Sequence, residues 1–163
     1  MSLLKKMLNT EIYLPFLPVK ETPHRSKGVI KKNREFLFPG YIFIKTSDAA
    51  DSIMEKLRLA FMGIPQHLGI YKLLHYGDDK KDVVVREKER RNWELLYDSD
   101  FCVKGLVGLI VGDMIRVTSG PLVGMESQIK KINRHRREVI VEVEMMGALR
   151  QVTLMLEVVE KVQ

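Results

Sequence analysis

Residues 111–147 read "VGDMIRVTSGPLVGMESQIKKINRHRREVIVEVEMMG". Their pattern decides the fold of the C-terminal third. "MIRVTS" alternates apolar and polar residues, as a strand with one buried face does. Ser119-Gly120-Pro121 then punctuates it. Glycine reaches turn dihedrals closed to other residues, and proline fixes φ at a turn position. A second strand runs into "INRHRR", and "EVIVEVEMM" alternates strictly, with Val139, Val141, Val143 and Met145 on one face. "LRQVTLML" follows Gly147 as a further strand. Four or five short antiparallel strands in about 50 residues fit a small closed barrel better than a sandwich.

The chain upstream has another texture. Residues 2–9 carry Leu3, Leu4, Met7 and Leu8 on one helical stripe, and Pro15 and Pro18 enforce an extended path after them. "TPHRSKGVIKKNRE" (22–35) is basic, broken by Gly28, and reads as a flexible hairpin or long loop. "EFLFPGYIFIK" (35–45) packs four rings around Pro39-Gly40, and "YIFIKT" is its strand, with Ile42 and Ile44 on the core face. "SDAADSIMEKLRLAFMG" reads as a helix capped by Ser47 or Asp48 and buried through Ile53, Leu57, Ala60 and Phe61. "IYKLLHYG" reads as a short strand. "REKERRNWELLYDSD" reads as a charged helix that buries Trp93, Leu96 and Tyr97. The glycines at 105, 108 and 112 mark the change of texture. The expected division is therefore an α+β domain over 1–102, a linker at 103–108, and an all-β domain over 109–163.

Composition narrows the function classes. The 163 residues carry a formal net charge of +6, which favours a polyanionic partner, nucleic acid before anionic membrane. The excess is uneven: residues 109–163 hold eight Lys/Arg against seven Asp/Glu. The barrel is thus polarised rather than broadly basic, with Glu142 and Glu144 on its outward face. Cys102 is the only cysteine, so an intrachain disulfide is impossible and a reducing cytoplasm fits. The four histidines are scattered, and no Cys or His pair has metal-ligand spacing. No metal or cofactor is expected. No apolar run reaches the length of a membrane span, and the N-terminus lacks the pattern of a signal peptide. Nothing resembles a catalytic triad, a carboxylate pair or a phosphate loop, so the reading is non-enzymatic.

The C-terminal stretch resembles a KOW motif, of SH3-like barrel fold. The hallmarks are Gly112-Asp113, the alternating strand, Gly120-Pro121, Gly124 and the hairpin into a Val-rich strand. Ser127 stands where the family usually has glycine, which implies modest strain, or an altered turn, if that position needs positive φ. "FPGY" followed by an Ile-Phe-Ile strand resembles the N-terminal (NGN) domain of the NusG family of transcription elongation factors. The order of elements matches across nearly the whole chain. The resemblance implies an antiparallel sheet with helices that docks on the clamp helices of bacterial RNA polymerase. Carried over, Phe38, Pro39, Gly40 and Tyr41 are the polymerase contacts, while Phe36 and Phe43 go to the core. The family domain opens with a strand and then a longer helix; the resemblance implies that this sequence starts within that helix, so either the start is truncated or another segment fills the gap.

The second cluster is "KKINRHRR", with its hairpin tip expected at Asn133–Arg136. Lys130, Lys131, Asn133, Arg134, His135, Arg136 and Arg137 are the candidate RNA-binding residues. Their cations neutralise phosphates, and arginine also bonds base edges or stacks. The bland alternative is a solvated hairpin whose charges deter edge pairing. Housekeeping members of the family carry an aromatic, Gly and Arg after the Val-rich strand, where they contact Rho or a ribosomal protein. Here the segment is Met146-Gly147-Ala148, so Met146 is left as a possible protein contact and the standard partnership is in doubt. The resemblance thus points to a specialised paralogue of the LoaP antiterminator type, whose KOW domain binds a nascent RNA hairpin. The rival reading is a ribosome-associated KOW protein that binds RNA through the barrel alone. The basic segment 24–34 is a further candidate for nucleic acid, with a solvated loop as its plainer reading.

Overall fold

The computed structural model describes residues 2–26, 29–48, 50–62, 73–78, 82–111 and 114–162. Contacts gather into two compact units that interleave along the chain: Met1–Phe16 with Ile42–Arg86, and Leu17–Tyr41 with Glu87–Gln163. The structure is mixed α/β and mostly strand. No described helix is long and apolar enough to cross a membrane.

The first unit contains helices α1 (Ser2–Met7) and α2 (Ala50–Met62) and strands β1 (Tyr13–Phe16) and β4 (Phe43–Thr46). Leu4 and Leu8 stand one turn apart, as do Ile53 and Leu57, so each helix presents a stripe. These four side chains bury Tyr13, with Ile44, Phe61 and Leu73 packed around them. β1 and β4 form an antiparallel pair in register Tyr13↔Thr46 to Phe16↔Phe43. The Phe16 and Phe43 rings stack across it with centroids 5.6 Å apart, the kind of cross-strand pair that stabilises a small sheet.

Asp48 ties this sheet to the helix. Its Oδ2 accepts from the Tyr13 hydroxyl at 2.5 Å and from Lys56 Nζ at 2.8 Å. Those two bonds hold the Asp48 carboxyl below the usual carboxylate range. Ser47 or Asp48 was expected to cap α2; the start of that helix adjoins a residue outside the described ones, and the Asp48 carboxylate links β1 to α2.

In the second unit, β2 (Val19–Ser26) and β3 (Val29–Phe36) form a hairpin, and β5 (Cys102–Val103) adds parallel to β2. Of the two readings of the basic stretch, hairpin or long loop, the hairpin is the one found, with residues 27–28 outside the described residues. Pro23 is tolerated because the β2 edge away from β3 is paired only at Val19 and Lys20. Asp98 organises the approach to β5. Its Oδ1 accepts from the Asp100 and Cys102 amides, and its Oδ2 meets Lys104 Nζ at 3.1 Å. Cys102 is buried, and burial pushes its thiol pKa up. Only Lys104 and Gly105 separate β5 from β6 (Leu106–Val111).

The KOW-like stretch folds into a curled five-stranded sheet with β6, β7 (Met114–Ser119), β8 (Ile129–Asn133), β9 (Glu138–Met145) and β10 (Ala148–Val162), in the order β7-β6-β10-β9-β8. The expected strands are present, but the sheet is mixed. β10 pairs antiparallel with β9 along its first half and parallel with β6 along its second. Val139, Val141, Val143 and Met145 all point inward, opposite Val152, Leu154 and Leu156 on β10, with Leu106, Ile115, Val117 and Leu122 completing the core. Gly120 has φ +92, and a Cβ there would lie 2.9 Å from the Gly105 carbonyl oxygen. Ser127 lies in a 3₁₀ turn, Glu126–Gln128, and is not among the positive-φ residues; Leu122 (φ +72) is. Of the two outcomes expected at Ser127, strain or an altered turn, the altered turn is the one found.

Three local expectations are corrected. Ile42 is 39% exposed, because β4 starts at Phe43 and the pleat does not extend back to it. Phe36 is 54% exposed at the end of edge strand β3, where every residue from Lys31 is exposed. Leu73–His75 are irregular, and Tyr76 bonds the Asp82 carbonyl through its amide. Residues 70–72 of that expected strand lie outside the described residues.

The Asp48 bridge has a pH signature. A carboxyl depressed on folding contributes stability above its ordinary range, and loses it as pH falls through the lower folded value. Thermal melts of Asp48→Asn should therefore show a lower Tm near neutrality and a shallower loss of Tm below about pH 4. Parallel acid limbs for the two proteins would remove this role.

Candidate nucleic-acid interface

β8 and β9 are joined by the turn Arg134–Arg137, one residue beyond the expected tip, and all four residues are exposed. The turn is not loose. Asn133 Oδ1 accepts from the Arg136 amide at 3.0 Å, and the Arg137 carbonyl accepts from the Leu156 amide on β10 at 2.7 Å. Arg137 takes φ +56 to close the loop.

Strand register then sorts the cations. Ile129 faces Val141 and Lys131 faces Ile140, so Lys130 is the extra residue of a β-bulge. The bulge turns Lys130 toward Glu142, and the two form an ion pair at 3.2 Å. Ile129 and Ile132 stay with the core-facing partners, whereas Lys131 and Asn133 share the face of Ile140 and Glu138.

β7 and β8 are the two edges of the sheet. An open groove of about 830 Å³ runs beside them, lined by Met114, Ile115, Glu126, Ser127 and residues Ile129–His135. It brings together Lys130, Lys131, Asn133, Arg134 and His135 of the predicted set; Arg136 and Arg137 lie on the turn outside it. Met114, Glu126 and Ser127 were not singled out from sequence. Met114 had a signal: it shares parity with Arg116 and Thr118 on β7, so an apolar side chain was due on the polar face, and it is 74% exposed. Glu126 Oε1 accepts from the Val117 amide at 3.1 Å. Its own amide and then those of Val117 and Gly124 hold the carboxyl below its usual range against the opposing effect of burial.

The aromatic turn is arranged differently from expectation. The Tyr41 amide donates to the Phe38 carbonyl at 3.2 Å, and Gly40 takes φ +87. Phe-Pro-Gly-Tyr is thus a turn with proline second and a positive-φ glycine third. Pro39 and Gly40 are exposed and Tyr41 is half-buried. Phe38 is buried, its ring centroid 5.7 Å from that of Trp93 on α3 (Glu87–Leu96). Residues 38–41 close the chain path after β3, which draws the ring before the proline inward. Phe38 is buried within its unit and Phe36 is exposed, the reverse of the burial expected for them.

Helix α3 also clasps the far end of β9. Trp93 Nε1 donates to the Glu144 carbonyl at 2.7 Å, and the buried Glu89 accepts from the Met146 amide at 2.7 Å. Met145 pairs with Ala148, leaving Met146 (φ +52) and Gly147 (φ +75) as a two-residue turn. Both central residues of this mirror-image turn need positive φ. Met146 is half-buried there rather than fully outward.

A family model described as the KOW motif matches residues 111–144. The matched segment runs from the end of β6 through the 3₁₀ turn, the basic turn and most of β9. The match is consistent with RNA binding and with the NusG/KOW group of proteins.

Phe38→Ala should cost about 3–5 kcal/mol, as expected for emptying a buried aromatic site, measured by urea denaturation. An unchanged midpoint would show that the ring contributes nothing to packing against Trp93.

Proposed function

We propose that the chain is a non-enzymatic regulator of transcription elongation that binds nascent RNA through its KOW region and RNA polymerase through its N-terminal residues. The observation that carries the RNA half is the exposed, anchored turn Arg134–Arg137 within a KOW-matched segment. Its cations project from a sheet of nearly balanced charge, which suits a localised contact with a structured transcript. In this reading residues 1–102 act as the polymerase-docking domain and 109–163 as the KOW domain. The regulator is an antiterminator of the LoaP type that acts in the cytoplasm. Tethering the two contacts raises the effective concentration of each, so both can be individually weak.

For the polymerase contact we infer that Tyr41 and the exposed Phe36 meet an apolar partner surface, with Pro39-Gly40 shaping the turn and Phe38 supporting it from beneath. Rho or ribosomal-protein contact at Met146 is disfavoured, because Met146 and Ala148 stand where such a contact would use an aromatic and an arginine. The ribbon residues Lys31 and Arg34, exposed on β3, are a secondary nucleic-acid surface. The rival, ribosome association through the KOW region alone, draws support from the burial of Phe38.

Two measurements test this. The exposed cations Lys131, Arg136 and Arg137 give a slope of log K against log salt of about −2 to −3. Reversing Arg136 and Arg137 to Glu should weaken RNA binding at least about tenfold and flatten that slope. Salt-independent affinity would refute the reading. Tyr41→Ala should reduce capture of RNA polymerase without lowering Tm, and capture of ribosomes alone by the wild-type chain would favour the rival.

A further inference from the structure

The groove beside the β7 and β8 edges has a composition that phosphate neutralisation leaves unexplained. Its floor is apolar, with Ile115 buried and Ile129 and Ile132 half-buried. Met114 lines it from β7 and is exposed, and Lys131, Arg134 and His135 line it from β8 and the turn after it. Glu126 and Ser127 lie at the 3₁₀ turn between them. We propose that this groove is a pocket for an unpaired nucleobase, so that RNA is recognised through a single-stranded loop or bulge and not as continuous duplex. The proposal rests on the RNA-binding reading above and adds the class of RNA it requires.

Three features favour an unstacked base over a duplex backbone. First, a duplex presents phosphates and ribose on its surface and keeps its bases stacked inside. Such a surface would place charge against Ile115, Ile129 and Met114, which offer it no hydrogen bonds. A splayed base presents an apolar π-face instead, and a thioether is a favourable neighbour for such a ring. Second, the volume of about 830 Å³ falls in the range of pockets that enclose small ligands, so a base with its sugar fits. Third, the polar groups are placed in the right order. The rim cations reach the flanking phosphates. The Glu126 carboxylate, kept ionised by backbone amides, is an acceptor suited to the amino group of a base, as carboxylates are toward cytosine N4.

The rim is also rigid where it must be. The Asn133–Arg136 and Leu156–Arg137 bonds fix the turn that carries Arg134 and His135. Lys130 lines the groove with its charge paired to Glu142. Both features limit indiscriminate attraction and leave stacking to discriminate between single-stranded and paired RNA.

The test uses the full chain and fluorescence anisotropy at one fixed salt concentration. The probes are a mixed-sequence single-stranded RNA and a blunt duplex of the same length. The variants are Met114→Asp, in the groove, and the double charge reversal of Arg136 and Arg137, outside it. Met114 is exposed enough for its variant to fold, which circular dichroism checks. The single strand should bind at least about tenfold more tightly than the duplex, and Met114→Asp should remove most of that preference, as loss of the thioether contact with the base would. Unchanged single-strand binding by Met114→Asp, with loss in the turn variant, overturns the pocket and leaves RNA binding by the turn. Equal affinity for duplex and single strand likewise overturns the pocket alone. Failure of the wild-type chain to bind either RNA overturns the RNA-binding reading together with it.

Discussion

The second unit depends on one strand having two partners. β10 pairs with β9 over Ala148–Met155 and with β6 from Leu156 onward. A strand that changes neighbours along its length must twist and bend, which curls the sheet. Val152, Leu154 and Leu156 all face inward because side chains alternate with period two. A slip of one residue would turn every one of them to solvent, so register is strongly specified. The same arrangement leaves β7 and β8 as outer edges, and the 3₁₀ turn between them lines the groove. The groove is a by-product of how β10 closes the core.

The two ends of β9 are treated oppositely. At its start, an exposed turn rich in arginine is pinned by backbone and Asn133 bonds. At its end, the two-residue turn is clasped by Glu89 and Trp93 of α3. Leaving Glu89 buried is tolerable because it accepts a backbone amide. The clasp fixes the hairpin from one side and leaves the basic turn on the other. A pre-ordered turn loses less conformational entropy on binding than a mobile one. Bond placement, more than net charge, makes this surface suited to a specific partner.

The C-terminal architecture was legible because its signals are local. Strict alternation over Val139–Met145 and the glycine turns give the strands, their inward faces and the basic tip to within one residue. The parallel β6–β10 pairing was not legible, since nothing in either strand encodes the direction of its neighbour. The aromatic cluster was read less well. Periodicity assigns faces only inside a strand, and β4 begins two residues later than the sequence suggested. Phe36 and Phe38 therefore fell outside the reach of parity. Trp93, 55 residues beyond Phe38 in sequence, decides which ring is covered. The groove combines β7 and β8, and no local pattern pairs Met114 with Lys131.

Cys102 lies on the seam where β5 joins β2, almost fully covered at 1% exposure. A thiol so buried, with its ionisation suppressed, is inert to alkylation and oxidation while the strand pair holds. Being the only sulfhydryl in the chain, it acts as a built-in clock for the seam. Its modification rate under native conditions counts how often β5 leaves β2, which separates local opening at this joint from unfolding of the whole chain.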